Sequence, residues 1–335
     1  MILVTGATGL VGGNLIWHLL QKNDRVTAIH RTSSSLEPLR AIFSSYTSTP
    51  DEFLNKIDWI VADVLNENSI RKAMHGISIV YHCAAVVSLG DKADILLDTN
   101  VIGTRNVVHA SLENKISKLC FVSSIAACGS AFVNEPIYEN SFWTDSPDHS
   151  LYSRSKYYSE QEVWKGIKAG LKAVIVNPGV ILGVSGTDSG SSQLFSLVQK
   201  GLLFYTQGGS GYVDVQDVVS VMIRLTESDI SGERFILVGE NCSNKDILSW
   251  MADGFGKRRP FILVGKTVLL FVGFFAEVLG KFFHFYPVFD RKIARTAVAR
   301  EYYSSRKIEK TLGFKFISIE DCIHKICYFR LQNNE

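Results

Sequence analysis

A phenol and an ammonium stand four residues apart in Tyr152-Ser153-Arg154-Ser155-Lys156. At helical spacing both lie on one face. A free tyrosine ionises near pH ~10 and carries protons poorly at neutral pH. A nearby cation stabilises the phenolate and draws its pKa toward the working range. The expected chemistry is proton exchange with an oxygen that changes between carbonyl and alcohol. Upstream, an apolar run ends in Ser123-Ser124, where a hydroxyl can hold that oxygen and orient the phenol. Asn100, opening Asn-Val-Ile-Gly-Thr, is a candidate to anchor the lysine or a water in the same site.

Thr5 to Gly12 reads TGATGLVG, with Gly6, Gly9 and Gly12 at three-residue intervals and Thr8, Leu10 and Val11 between them. Gly6 permits a tight turn out of a strand, Gly9 a close approach to a pyrophosphate, and Gly12 close packing of a helix on a sheet. The diphosphate would meet free N–H groups and the positive dipole end of that helix. The end of the second strand selects the cofactor. An acidic residue there would bind the adenosine ribose, but this chain has His30-Arg31, followed by Thr32-Ser33-Ser34. Arg31 can grip a 2′-phosphate bidentately, which favours NADP, with NAD as the alternative. Asp63-Val64 offers a carboxylate to the adenine amino group, and Ala84-Ala85 lets the cofactor lie flat. Asn100, Tyr152, Lys156 and the strand end Asn177-Pro178-Gly179 complete the expected cofactor contacts, with Lys156 on the nicotinamide ribose.

The elements that must position these groups alternate. Apolar runs at 2–4, 25–30, 59–62, 79–83, 119–123 and 173–176 are separated by helix-like stretches at 12–22, 69–75, 94–113 and 153–168. Such alternation means a parallel sheet covered by helices on both faces. The expected class is therefore α/β, a Rossmann doubly wound sheet with a smaller, mostly helical C-terminal substrate-binding part. Beyond 177 the rhythm breaks. A loop at 183–192 precedes a helix at 193–200, a strand at 203–206, strands at 212–215 and 234–238 around a helix at 216–228, and helices at 306–312 and 319–329. Residues 1–177 form the expected NAD(P)-binding domain, with 212–240 returning to it. Residues 178–211 and 241–335 form the substrate-binding or lid region.

Composition narrows the function classes. With 35 Lys+Arg against 33 Asp+Glu among 335 residues, the formal net charge is only +2, so no basic face for nucleic acid is expected. Six cysteines lie far apart with no CxxC pair or histidine cluster, which points to reduced thiols, no metal site and a cytoplasmic protein. The chain opens on an apolar strand, so no signal peptide is expected. Residues 261–289 are strongly apolar, but Lys266, Glu277, Lys281 and His284 interrupt them. A spanning helix is not expected; a buried or substrate-covering helix is, with contact at a bilayer surface as the alternative.

Taken together, TGATGLVG, HCAA, NVIGT, Ser-Ser, YSRSK, NPGVILG and YVDVQDV resemble the extended short-chain dehydrogenases/reductases, the NAD-dependent epimerase/dehydratase superfamily. The resemblance implies that Ser124, Tyr152 and Lys156 form a catalytic triad, with Ser124 chosen because it stands five residues before Gly129. It also implies dimerisation through two helices per subunit and a structural role for Asp217. Within the superfamily the chain is most similar to the dihydroflavonol-4-reductase-like and 3β-hydroxysteroid-dehydrogenase-like branch, which also tends to carry arginine at the Arg31 position. Sugar-nucleotide members differ from it in three places. Ile125-Ala126 replaces the dehydratases' acidic pair, GGSGYVDV lacks an arginine before its aromatic, and Asn177 stands where those enzymes have another arginine. The expected activity is hydride transfer between NADP(H) and a ketone or secondary alcohol. Phe142, Trp143, Phe195, Phe204, Tyr205 and 261–289 suit an apolar, ring-containing substrate. The alternatives are a nucleotide-sugar epimerase or dehydratase with tightly bound NAD, and a cofactor-sensing regulator without turnover.

Overall fold

The apolar runs assemble into one seven-stranded sheet. The computed structural model describes residues 1–87, 93–130, 135–146, 149–187, 190–271 and 297–333. Its strands, in chain order, are β1 (Ile2–Thr5), β2 (Val26–His30), β3 (Ile57–Val61), β4 (Ile79–His82), β5 (Lys118–Val122), β6 (Ala173–Pro178), β7 (Val180–Leu182), β8 (Phe204–Tyr205), β9 (Gly209–Asp214), β10 (Glu233–Leu237), β11 (Glu240–Ser243) and β12 (Ile262–Leu263). The helices are α1 (Leu10–Leu20), α2 (Glu37–Ser44), α3 (Pro50–Leu54), α4 (Glu67–Ala73), α5 (Ala93–Leu97), α6 (Gly103–Glu113), α7 (Leu151–Lys168), α8 (Ser192–Gln199), α9 (Val215–Glu227), α10 (Asn244–Gly254), α11 (Arg306–Leu312) and α12 (Ile319–Gln332).

The main sheet runs β3-β2-β1-β4-β5-β6-β10, and every neighbouring pair is parallel. This is the expected Rossmann arrangement. Its strand order reverses between β1 and β4, which opens a crevice beyond the strands' C-terminal ends. Alternation along each strand explains the two cores. Val4, Tyr81, Cys120, Val174 and Phe235 face α1 and α9, while Leu3, Val80, Phe121 and Ile175 face α4, α6 and α7. Full burial of each such side chain contributes about 1.5–3 kcal/mol.

Three expectations change. The stretch 37–54, to which no element is assigned from sequence, holds α2 and α3, whose prolines sit in their first turns. The strand expected at 212–215 forms as β9 but does not return to the main sheet. β11 pairs with it on one side and β7 on the other, so both its edges are taken. Only α9 and β10 rejoin the large layer, β10 through β6. The helix expected over 94–113 is interrupted by a π-helical turn, Asp98–Ile102, between α5 and α6. Beyond β7 a third core, including Phe195, Met251, Ile319 and Ile323, joins α8, α10 and α12. Of the apolar stretch 261–289, only 261–271 lie within the described residues.

Candidate active site

The phosphate loop leaves β1 through Gly6, whose φ of +67° belongs to the left-handed region. A Cβ there would meet the Ala84 backbone nitrogen at 2.6 Å, and one on Gly12 would meet the Gly6 carbonyl oxygen at 2.2 Å. The loop is thus folded back on itself as a cradle. No side chain caps the N-terminus of α1, α2, α3, α8 or α11, whereas Asn66, Ser150, Asp214, Ser243 and Ser318 cap α4, α7, α9, α10 and α12. The donors of α1 are therefore open to an anion, which fits a dinucleotide diphosphate. Gly9 is exposed, and Thr8, Leu10 and Val11 are half-buried around it.

His82, at the end of β4, braces this loop. Its Nδ1 lies 2.8 Å from the Thr5 hydroxyl and its Nε2 3.1 Å from Thr104. Because the Thr104 hydroxyl donates to the Asn100 carbonyl, it accepts from Nε2–H, which assigns the tautomer. Burial, seconded by the charge of Lys156, drives the His82 pKa down to about 3, so the ring stays neutral. His82 is absent from the site residues expected on sequence; within HCAA only the alanines suggested a cofactor contact.

The catalytic candidates meet at the ends of β5 and α7. Tyr152 and Lys156 lie one turn apart on α7, and the Ser124 side chain stands close enough to the Tyr152 phenol to ease its pKa down. The Ser124 hydroxyl accepts from the Ala126 N–H at 3.2 Å. Burial pushes the Tyr152 pKa up, and Ser124 pulls it partly back. Lys156 is only 3% exposed and donates to the Val122 carbonyl at 2.9 Å. Burial lowers its pKa to about 8 against the upward pull of Glu160. Asn100, in the π-helical turn, bonds Val86 through both backbone groups and donates to Ser155 at 2.9 Å. Its side chain anchors a strand-end loop to α7, and no bond to Lys156 is among its described contacts. The hydroxyl of Ser123 is buried without a partner.

A buried network behind the triad escaped the sequence. Glu160, one turn beyond Lys156, is fully buried. Its carboxylate accepts from Asn177 and pairs with Arg234 of β10 at 3.0 Å. The same Asn177 amide donates to the Ser124 carbonyl at 2.9 Å. One carboxylate thereby steadies the backbone of Ser124 and favours the charged form of Lys156. The signal was available: Glu160 continues the Tyr152–Lys156 face at four-residue spacing.

The remaining expected residues are distributed as follows. Arg31 is exposed at the end of β2, and its guanidinium has no carboxylate partner among the described residues. One Asp63 oxygen accepts from the Leu65 N–H at 2.9 Å, and Val64, buried, accepts through its carbonyl from Asn106 at 2.8 Å. Ala84 and Ala85 are half-buried in the crevice wall beside Gly6. Pro178 is buried, and Gly179 approaches Gly211 so closely that a Cβ would lie 2.4 Å from its carbonyl oxygen. The aromatic set is not brought together. Phe195 is buried against Phe255 in the C-terminal core, Trp143 stacks on Tyr157 at 4.4 Å, and Phe142 and Phe204 are exposed. Asp217 accepts from the Ile317 N–H at 2.8 Å, a structural contact.

Comparison with known proteins identifies the family and the fold. The profile of the NAD dependent epimerase/dehydratase family matches residues 2–239. The chain is 29% identical over 291 residues to sterol demethylase protein B of Methylococcus capsulatus, covering 85% of this chain and 83% of that protein. It is 29% identical over 332 residues to a putative dihydroflavonol 4-reductase of Synechocystis, covering 96% and 91%. The crystal structure of gox2253 superposes with a TM-score of 0.83 at 25% identity, covering 99% of this chain and 98% of that one.

Proposed function

This chain belongs to the NAD dependent epimerase/dehydratase family of extended short-chain dehydrogenases/reductases, and we propose that it moves hydride between NADP(H) and a ketone or secondary alcohol on an apolar, ring-containing substrate. The observation that carries the reading is the meeting of Ser124 with the Tyr152 phenol, with buried Lys156 one turn along α7, on the sheet that also presents the uncapped N-terminus of α1. When bound, the nicotinamide supplies or accepts the hydride. The protein's own part is proton handling. Ser124 holds the substrate oxygen, and the Tyr152 phenol gives it a proton in reduction or takes one in oxidation. With cofactor bound, Lys156, which here donates to the Val122 carbonyl, would hold the nicotinamide ribose. In the same reading Gly6, Thr8, Gly9, Leu10, Val11 and Gly12 hold the diphosphate, while Asp63, Val64, Ala84 and Ala85 line the adenine and nicotinamide path.

Two observations favour the reductase reading over nucleotide-sugar chemistry. Asn177 is fully buried and its amide is engaged by Glu160 and the Ser124 carbonyl, so it is not free to hold a substrate diphosphate. The similarity to a dihydroflavonol 4-reductase spans nearly the whole chain and supports a ring-containing substrate. Arg31, exposed and without an ion-pair partner among the described residues, supports NADP over NAD. We assign residues 1–177 with 215–237 to cofactor binding, and 178–214 and 241–335 to the substrate.

The test pairs cofactor titration with turnover on apolar cyclic ketones and alcohols. Tyr152→Phe is expected to bind NADPH as the native chain does and to lose about 10²–10⁴-fold in turnover. Arg31→Ala is expected to weaken NADPH binding and leave NADH binding unchanged. Full turnover in Tyr152→Phe sinks the mechanism. Preference for NAD with a nucleotide sugar consumed and no net cofactor change moves the assignment to an epimerase.

A further inference from the structure

Parallel pairing of β8 with β12 sets Ile262 beside Phe204 and Leu263 beside Tyr205. The two strands form a small sheet of their own at the C-terminal part. Tyr205 packs against the core beneath, while Phe204 is 50% and Phe261 51% exposed. Ile262 and Leu263 are exposed beside them, and Val268 and Phe271 follow, three residues apart in the helical stretch 266–271. Large apolar side chains scattered singly need no explanation, but a contiguous group of them marks an interaction surface.

The charged residues within the chain segments that form this group are of one sign. Lys257, Arg258, Arg259 and Lys266 occur within residues 256–271, Lys200 lies in the neighbouring 197–206, and neither stretch contains an acidic residue. Asp253 pairs with Arg259 at 2.7 Å, leaving the other cations to face outward. The Arg258 guanidinium lies 4.1 Å from the Phe261 ring centroid, so cation and aromatic share one site on the rim. Aromatic and aliphatic side chains ringed by lysine and arginine match the boundary layer of an anionic bilayer, where the rings enter the headgroup–acyl border and the cations meet lipid phosphates. A second copy of the chain fits worse, because a two-fold contact through this patch would bring like charges together.

We infer that the β8–β12 face, with Phe204, Phe261, Ile262, Leu263, Val268 and Phe271 as its apolar centre, is a docking surface for an anionic phospholipid bilayer. No helix among the described residues is long and apolar enough to cross a membrane. The inference goes beyond the proposed reaction and does not rest on it.

Sedimentation of the full chain with vesicles tests it. Vesicles of phosphatidylcholine with phosphatidylglycerol are expected to carry the protein down at low salt, and vesicles of phosphatidylcholine alone several-fold less. Raising the ionic strength should release it, because exposed charges are screened. Combined Lys257→Gln, Arg258→Gln and Lys266→Gln substitutions should lower the partition at least about tenfold. These exposed positions leave the fold intact, which an unchanged melting curve verifies. Phe204→Ser with Phe261→Ser should do the same by removing the apolar anchor. Equal recovery in the supernatant with both kinds of vesicle overturns the inference, as does a charge-stripped variant that sediments like the native chain. A dimer in light scattering that Phe261→Ser disperses, without vesicle binding, overturns it in favour of self-association.

Discussion

Lys156 carries its ammonium where only 3% of the residue meets solvent, and burial holds its pKa down at about 8. As pH rises through that value the cofactor-free enzyme gives up the charge, so kcat/KM is expected to decline on the alkaline side. Glu160 opposes the decline, because its carboxylate favours the charged lysine. In Glu160→Gln the alkaline limb should move to lower pH, a readout that a merely structural role would not shift. Stability should also fall, by about 3–5 kcal/mol, since Arg234 loses its buried partner. An unshifted pH profile would confine Glu160 to packing. Tyr152 and Lys156 were legible from spacing, yet their pKa directions were not. Those depend on how much water the fold leaves around each group.

Among the elements, the β1–α1 turn is where backbone geometry alone makes a sharp prediction. Its three glycines look equivalent in sequence, but a Cβ on Gly12 would lie 2.2 Å from the Gly6 carbonyl oxygen, while one on Gly9 finds its nearest neighbour at 3.3 Å. Gly12→Ala is therefore expected to lower the melting temperature and weaken cofactor binding at least about tenfold, since backbone has to move. Gly9→Ala should melt close to the native protein and reveal only its effect on the cofactor. Calorimetric melts and titrations of both variants check this; a Gly12→Ala protein of native stability would contradict the geometry. The π-helical turn at Asp98–Ile102 had no cue in composition. One extra residue in that turn re-aims Asn100 toward Val86 and Ser155, and only the packing of α7 against it reveals the need.

For the molecule as a whole, the C-terminal segment is tied to the nucleotide-binding layer by the Asp217 carboxylate on the Ile317 N–H. Burial, aided by the neighbouring charge of Asp214, raises the Asp217 pKa to about 6. A folded-state value above the unfolded one, near ~4, means the folded chain holds this proton longer. Its contribution to stability therefore falls as pH rises from about 4 to about 6, the reverse of an ion-paired carboxylate. Asp217→Asn keeps an acceptor for Ile317 and removes the buried charge, so at pH 7 it should melt at or slightly above the native chain. Below pH 4 the advantage should vanish. Asp217→Ala leaves the N–H without its acceptor and should lose about 1–3 kcal/mol. Thermal melts across this pH range check the sign.

By itself the sequence determined the Rossmann class, the phosphate loop and the candidates Ser124, Tyr152 and Lys156. Those rest on local rules: strand runs of apolar residues, glycines at turns, and side chains four apart on one helix face. Only the tertiary structure decided that β9 belongs to a separate small sheet, since edge pairing is a competition among segments far apart in the chain. The same holds for Phe195, which an aromatic count assigns to the substrate and packing consigns to the C-terminal core. Glu160, Asn177 and Arg234 come from α7, β6 and β10. Their meeting behind the triad follows from strand order, and a buried carboxylate finds its partners only when distant strands close around it.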